Sequence, residues 1–117
     1  MTAEKLWSAG FQAWRALDPV IHMSRKLGFD MSQCYSWQSF RSEFIRVNDQ
    51  DVGHLVQAAR RIEGVLSTGE LPVLLAMLHA ADFSWLADEL ADGQTWRMMD
   101  RTHGPHATAV ALAIMQQ

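Results

Sequence analysis

The sequence has little cysteine for disulfide bonds, no long apolar run that could span a membrane and no export signal. Its 117 residues include one cysteine, Cys34, which excludes an internal disulfide and indicates a reducing compartment. The longest apolar run, residues 71–78, is far shorter than the roughly 20 residues that span a bilayer. The N-terminus lacks the basic stretch and apolar segment of an export signal. We therefore expect a cytoplasmic protein with no membrane segment, stabilised by its own hydrophobic core.

Basic residues are scarce in the second half of the chain. Residues 1–61 hold eight Lys and Arg against six Asp and Glu, whereas residues 62–117 hold two against seven, so the halves carry formal charges of +2 and −5. Between Glu63 and Trp96 there are six acidic residues and neither Lys nor Arg. This distribution argues against nucleic acid as the partner and favours a protein with a basic surface.

Motifs of catalysis and cofactor binding are also absent. The sequence has no Gly-x-Ser-x-Gly, no Ser-x-x-Lys, no phosphate-binding glycine loop and no paired cysteines. Nothing near Cys34 would lower the pKa of its thiol, and a lone cysteine usually behaves as a small apolar residue. We therefore expect a protein that is not an enzyme, with no catalytic residue and no cofactor.

Five histidines raise the alternative of a small metal-dependent enzyme. The closest pair, His103 and His106, is separated by Gly104-Pro105, which breaks the helical geometry that would place both rings on one face. Asp100 could add a carboxylate, but the sequence holds no second ligand set of the kind that a di-metal bundle requires. We therefore expect no metal, and residues 102–105 are interpreted as the turn that starts a helix.

Helical periodicity recurs along the whole chain, and alternating strand patterns do not. We predict an all-α fold, with residues 1–117 forming a single domain. It should be a compact bundle of five to seven helices with a central apolar helix near residues 72–91. The first helix is expected to begin near Thr2, with apolar residues at steps of three and four. These residues are Leu6, Trp7, Gly10, Phe11, Trp14 and Leu17.

Start and stop signals bound the next two helices. Asp18-Pro19 and Gly28 frame a second helix over residues 19–27. Ser36 can cap a third helix, whose apolar stripe lies largely opposite its charged residues. That stripe consists of Trp37, Phe40, Phe44 and Val47.

The fourth and last helices are bounded in the same way. An Asn or Asp can cap the fourth helix and a glycine can close it, while its basic pair, Arg60 and Arg61, should point outward. A short helical turn over residues 95–101 precedes a terminal helix that a proline starts and whose small residues allow close packing. The residues that set these boundaries are Asn48 or Asp49, Gly69 and Pro105.

The central stretch, residues 72–91, is apolar on nearly all sides, which is typical of a helix at the middle of a bundle. Asp82 or Ser84 could cap a fresh helix within it, so the pattern leaves open whether the stretch is one helix or two. His79 lies three residues before Asp82, which is the spacing of a base oriented by a carboxylate. A core histidine with a local hydrogen bond is the favoured interpretation.

A helix-turn-helix frame can be placed on the same stretch, with its turn near Ala81-Asp82. Its second helix would carry acids and no basic residue, so DNA phosphates would repel it. A weaker alternative surface, formed by four arginines of the first half, is balanced by nearby acids. Those arginines are Arg41, Arg46, Arg60 and Arg61.

The strongest functional signal is an acidic stripe around one tryptophan. If the central helix is continuous, Asp82, Trp85, Glu89 and Asp92 lie on one face, with Asp88 beside them. Like charges near a helix C-terminus are unfavourable, and such departures from local rules often mark functional sites. The alternative is that Trp85 faces the core and the acids only form a solvated surface.

These patterns together predict a non-catalytic protein-interaction module. We expect an adaptor or inhibitor, of the kind found as bacterial, phage or mobile-element accessory proteins, whose acidic tryptophan face binds a basic protein surface. The alternative is a homo-oligomeric assembly component, in which small residues pack against a second copy as in a homodimer. Those residues are Ala80, Ala87, Ala91 and the alanines of the terminal helix.

Overall fold

The computed structural model describes residues 9–50, 52–67, 69–94 and 102–116. Every regular element in these ranges is an α-helix, which confirms the all-α prediction. The helices are α1 (Ala9–Arg15), α2 (Asp18–Leu27), α3 (Trp37–Gln50), α4 (His54–Glu63), α5 (Glu70–Ala80), α6 (Ser84–Leu90) and α7 (Gly104–Met115). None of these seven is long and apolar enough to cross a membrane. The predicted start near Thr2 and the turn predicted over residues 95–101 lie outside the described residues.

Helix α5 lies at the centre of the packing, as its apolar sequence predicts. Eight of its 11 residues are buried, and it packs against α2, α6 and most extensively α7. Full burial of a leucine such as Leu74 stabilises the fold by roughly 2 kcal/mol. On α7, Ala109 and Ala113 are fully buried, in keeping with the close approach expected of small side chains.

An aromatic cluster joins α1 to α3. Phe11 and Trp14 of α1 contact Trp37 of α3 with ring centroids 5.1 and 5.0 Å apart, and Phe40 lies 5.2 Å from Trp14. The contacts continue along α3 from Phe40 to Phe44, whose centroids are 5.7 Å apart. All five side chains are buried, so the apolar stripes predicted for these two helices face each other in the core.

Helix α2 has nearly the predicted span, but it begins at Asp18, which was expected to be its N-cap, and the N-cap is Leu17. The helix ends at Gly28, which has a left-handed backbone with φ of +75°. The N–H groups of Gly28 and Phe29 donate to the carbonyls of Arg25 and Ser24, at 3.1 and 2.9 Å. This pattern is the Schellman motif, in which glycine is favoured because it adopts a positive φ without steric penalty.

Helix α4 is shorter than predicted, because it begins at His54 and ends at Glu63 and does not continue to Gly69. Its cap nevertheless comes from a residue that the sequence singled out. The buried Asn48 lies near the end of α3, and its Oδ1 accepts hydrogen bonds from the N–H groups of Leu55 and Val56, both at 3.0 Å. Asn48 therefore satisfies two otherwise unpaired donors at the start of the next helix.

The central stretch forms two helices, so the central apolar helix is α5 alone and residues 81–91 do not continue it. Asp82 breaks the stretch with a φ of +71°. Its N–H donates to the carbonyl of His79 at 3.1 Å, and the N–H of Phe83 donates to that of Leu78 at 2.8 Å. These two bonds form a second Schellman motif, and they redirect the chain into α6.

Candidate functional site

Helix α6 places a tryptophan on the surface. Leu86 and Ala87 are fully buried, whereas Trp85 has 53% of its surface exposed. Because successive helical residues are about 100° apart, a short helix that turns Leu86 and Ala87 inward turns Trp85 toward solvent. Trp85 therefore does not face the core, which was the alternative interpretation of the stripe.

Phe83 anchors this tryptophan to the core. Its ring is 9% exposed and lies 5.3 Å from the ring of Phe44, centroid to centroid. On its other side, the Trp85 ring lies 6.1 Å away at an interplanar angle of 38°. Trp85 is thus the outer end of the aromatic series that begins with Trp14, so its position is set by the packed core beneath it.

Two aspartates flank α6 in an unusual backbone conformation. Asp82 precedes the helix with φ of +71°, and Asp92 follows it with φ of +52°. Like Asp82, Asp92 closes a Schellman motif. The N–H of Asp92 donates to the carbonyl of Glu89 at 3.3 Å, and the N–H of Gly93 donates to the backbone carbonyl of Asp88 at 2.9 Å. Glycine is the usual residue at this position, and L-residues adopt a positive φ only at an energetic penalty.

The acidic stripe predicted from the sequence is therefore only partly formed on one helix. Asp82 and Asp92 lie outside the helix, one beyond each end, because the continuous helix that would have aligned all four residues does not form. Trp85, Asp88 and Glu89 stand at positions i, i+3 and i+4 of α6, which share one helical face. We refer to Asp82, Trp85, Asp88, Glu89 and Asp92, all exposed, as the α6 surface.

An arginine from α4 joins this surface, which the sequence pattern did not indicate. Arg60 Nε and Nη2 donate to the two carboxylate oxygens of Glu89 at 2.7 and 2.9 Å. These bonds lower the pKa of Glu89 and raise that of Arg60. Arg60 was expected to point outward, and it is exposed, but only the packing of α4 against α6 shows which carboxylate it meets.

Asp82 and Asp92 make no ion pair or side-chain hydrogen bond with other described residues. Both carboxylates are exposed. Their positions beyond the C-termini of α5 and α6 also place negative charge where the helix dipole disfavours it. The α6 surface therefore presents four carboxylates, of which two are free and one is paired with an arginine, together with an exposed indole.

The residues considered for a homodimer seam and for nucleic-acid binding are found in the following surroundings. Ala80, Ala87 and Ala91, the small residues considered for a homodimer seam, are at most 1% exposed and are packed within the chain. Helices α5 and α6 are joined by a short turn over residues 81–83, where the helix-turn-helix frame places its turn, but α6 carries no basic residue. Of the four arginines considered for nucleic acid, Arg46 pairs with Glu43 and Arg60 pairs with Glu89.

Residues considered for metal or nucleophile chemistry are not assembled into a site. Within the described part of the chain, no group of three His, Cys, Asp or Glu side chains could hold a metal ion, and Asp100 lies outside that part. His79 is half-buried in the last turn of α5. Cys34 is 1% exposed, and burial, reinforced by Glu43, raises the pKa of its thiol to about 11. A neutral buried thiol is a poor nucleophile.

The α6 surface thus combines exposed apolar surface, free charge and unusual backbone conformation. No family model, curated protein or solved structure matches the chain, so its function is inferred from its own residues.

Proposed function

We propose that this protein is a non-catalytic interaction module, an adaptor or inhibitor, whose α6 surface binds a basic surface on a partner protein. The observation that carries the proposal is the half-exposed Trp85, which packs on Phe83 and shares its helical face with Asp88 and Glu89. Tryptophan is among the residues most enriched in binding hot spots, because it buries a large area with few rotatable bonds.

The chemistry of the surface fits a cationic side chain of the partner. An arginine that stacks on the exposed indole gains a cation–π interaction, and the carboxylates at i+3 and i+4 on the same face lie within reach of its guanidinium. Asp82 and Asp92 extend the negative charge beyond both ends of α6. Glu89 can exchange Arg60 for an arginine of the partner, because its present ion pair is solvent-exposed and therefore weak.

The unusual backbone of the two aspartates supports the same conclusion. Glycine at either position would remove the penalty of a positive φ and the unfavourable charge at a helix C-terminus. Residues that are unfavourable for the fold are often retained because they serve binding. Engagement of the α6 surface would then act by occluding the partner's basic site or by bridging it to another protein.

Capture from the lysate of the source cell tests the proposal. The bait proteins are the wild type, the variant Trp85→Ala, the double variant Asp82→Lys/Asp92→Lys, and a control, Asp30→Lys/Asp49→Lys. The control makes the same charge change at exposed acids outside the α6 surface. We expect the wild type and the control to retain one stoichiometric partner, and both α6-surface variants to lose it.

The salt dependence of capture provides the second readout. A complex held by exposed charges weakens as salt screens them, so the partner should elute as ionic strength rises through roughly 0.5 M. Equal capture by the double variant and the wild type, or a complex insensitive to salt, would contradict the proposal.

A further inference from the structure

A cavity of about 480 Å³ lies away from the α6 surface, between the α1–α2 turn and the first turns of α5 and α7. Its size falls within the range of natural small-molecule sites, about 300 to 1,000 Å³. The floor is apolar, formed by Met23 of α2 and Val73 of α5, each 1% exposed. Leu17, Pro19 and Pro105 continue the apolar wall.

The rim of the cavity is polar. It contains two carboxylates and two imidazoles, which come from α2, α5 and α7. They are Asp18, His22, Glu70 and His106. The His106 ring packs against Gly69, since a Cβ added at that glycine would lie 3.5 Å from the ring carbons. An apolar floor with a few converging polar groups is the usual architecture of a ligand site.

One of the two carboxylates, that of Glu70, already accepts hydrogen bonds from other residues of the chain. Glu70 Oε2 accepts a hydrogen bond from Lys26 Nζ at 2.7 Å, and its Oε1 accepts one from the N–H of Ser67 at 2.9 Å. By contrast, the side chains of Asp18, His22 and His106 make no hydrogen bond with other described residues. Among the described residues at the rim, Asp18 is thus the carboxylate without an ion pair.

We propose that this cavity binds a small organic amine. The apolar body of the amine lies against Leu17, Pro19 and Pro105, above the buried floor. Its ammonium group donates to the Asp18 carboxylate. An ammonium offers donors and no acceptor, which matches a carboxylate that accepts hydrogen bonds. Acids in the first turns of α2 and α5 offset the positive ends of those helices. This inference is independent of the α6 surface and of its partner.

A matched series of three probes tests the head-group preference. Benzylamine, benzyl alcohol and benzoate share a phenyl body and differ in charge. Each is titrated into ¹⁵N-labelled protein, and the amide shifts both locate the site and give the dissociation constant. We expect benzylamine to shift amides around Asp18, Val73 and His106 and to bind at least about fivefold more tightly than the other two probes.

Two variants test whether the probes bind in the cavity. Asp18→Asn should bring the affinity for benzylamine down to that for benzyl alcohol, whereas Asp82→Asn, at an exposed acid outside the cavity, should leave it unchanged. Ala16→Phe places a ring at the cavity wall from an exposed position and should abolish binding of all three probes. This variant keeps the proposal testable if Asp18→Asn does not fold.

Three outcomes would overturn the proposal. The first is tighter binding of benzoate than of benzylamine, which would indicate an anion site. The second is unchanged benzylamine affinity in Asp18→Asn. The third is no shift of cavity amides at about 10 mM benzylamine, tenfold above the dissociation constant of about 1 mM expected for so small a ligand.

Discussion

The rings of Phe83 and Trp85 lie 6.1 Å apart, one buried in the core and the other half-exposed. This contact fixes the direction of the exposed indole, because Phe83 is itself held by Phe44. The position of Trp85 thus depends on core packing, whereas its outer face remains available to a partner.

The two rings should therefore differ in their contributions to stability. Phe83→Ala leaves a void in the core and should lower the free energy of unfolding by about 3 kcal/mol. Trp85→Ala removes a side chain that is 53% exposed and should lower it by about 1 kcal/mol. Urea denaturation measures both values. Equal losses would show that Trp85 is a core residue and would contradict its assignment to the surface.

The cap that Asn48 provides for α4 gives a second prediction. Asn48→Ala removes the acceptor for two buried N–H groups, so it should destabilise the protein by about 2 kcal/mol. The neighbouring Asp49→Ala, at an exposed position, should change stability by less than about 0.5 kcal/mol. Thermal and urea denaturation of both variants test this difference, which would vanish if the cap did not form.

The conformation of Asp82 predicts opposite effects on stability and binding. Asp82→Gly should stabilise the protein by about 1 kcal/mol, because glycine adopts a φ of +71° without penalty. The same variant removes a free carboxylate and should weaken partner binding. Val52→Gly is the control, since Val52 also has a positive φ, +47°, but lies outside the α6 surface. It should stabilise the chain and leave binding unchanged.

The Glu70 ion pair makes stability depend on pH in a defined window. The hydrogen bonds from Lys26 and from the N–H of Ser67 lower the pKa of Glu70 to about 2. Because the folded-state pKa lies below that of the unfolded chain, about 4.3, this stabilisation is full above pH 4.3 and is lost as the pH falls toward 2. Both side chains are partly exposed, so the ion pair contributes less than about 1 kcal/mol.

Two substitutions separate the charge of Glu70 from its role at the start of α5. Glu70→Gln retains a hydrogen-bonding side chain, and its stability deficit should shrink between about pH 5 and pH 2. Ser67→Ala removes the hydroxyl that accepts from the N–H of Glu70 at 3.1 Å, and its deficit of about 1 kcal/mol should change less with pH than that of Glu70→Gln, because the hydroxyl is the smallest cause of the lowered Glu70 pKa. A deficit of Glu70→Gln that stays constant with pH would contradict the assignment.

Much of the helical pattern follows from local chemistry. Gly28 ends α2 as predicted, because its positive φ is a backbone preference of glycine itself. Phe40 and Phe44 are buried as their spacing requires, since only one face of an amphipathic helix can meet the core. These features depend on residues close together in sequence, which is why periodicity and capping rules identify them.

Features that depend on tertiary contacts were not predictable in the same way. The break at Asp82 follows an apolar, helix-favouring segment, and aspartate there gives no signal as clear as glycine. Asn48 was a candidate cap from the sequence, but the six-residue gap before α4 begins was not indicated. Arg60 meets Glu89 only because α4 packs against α6. The cavity beside Asp18 is formed by three separate stretches of chain. Such juxtapositions arise from packing and not from sequence spacing.

The affinity of the captured partner for the wild type and for Trp85→Ala shows whether the partner binds at the exposed indole. If the exposed indole is the centre of the interface, the variant should remain folded and bind about 30-fold more weakly, which corresponds to roughly 2 kcal/mol. An affinity within about twofold of the wild-type value would contradict the account, because a central hot-spot residue contributes far more than that to binding.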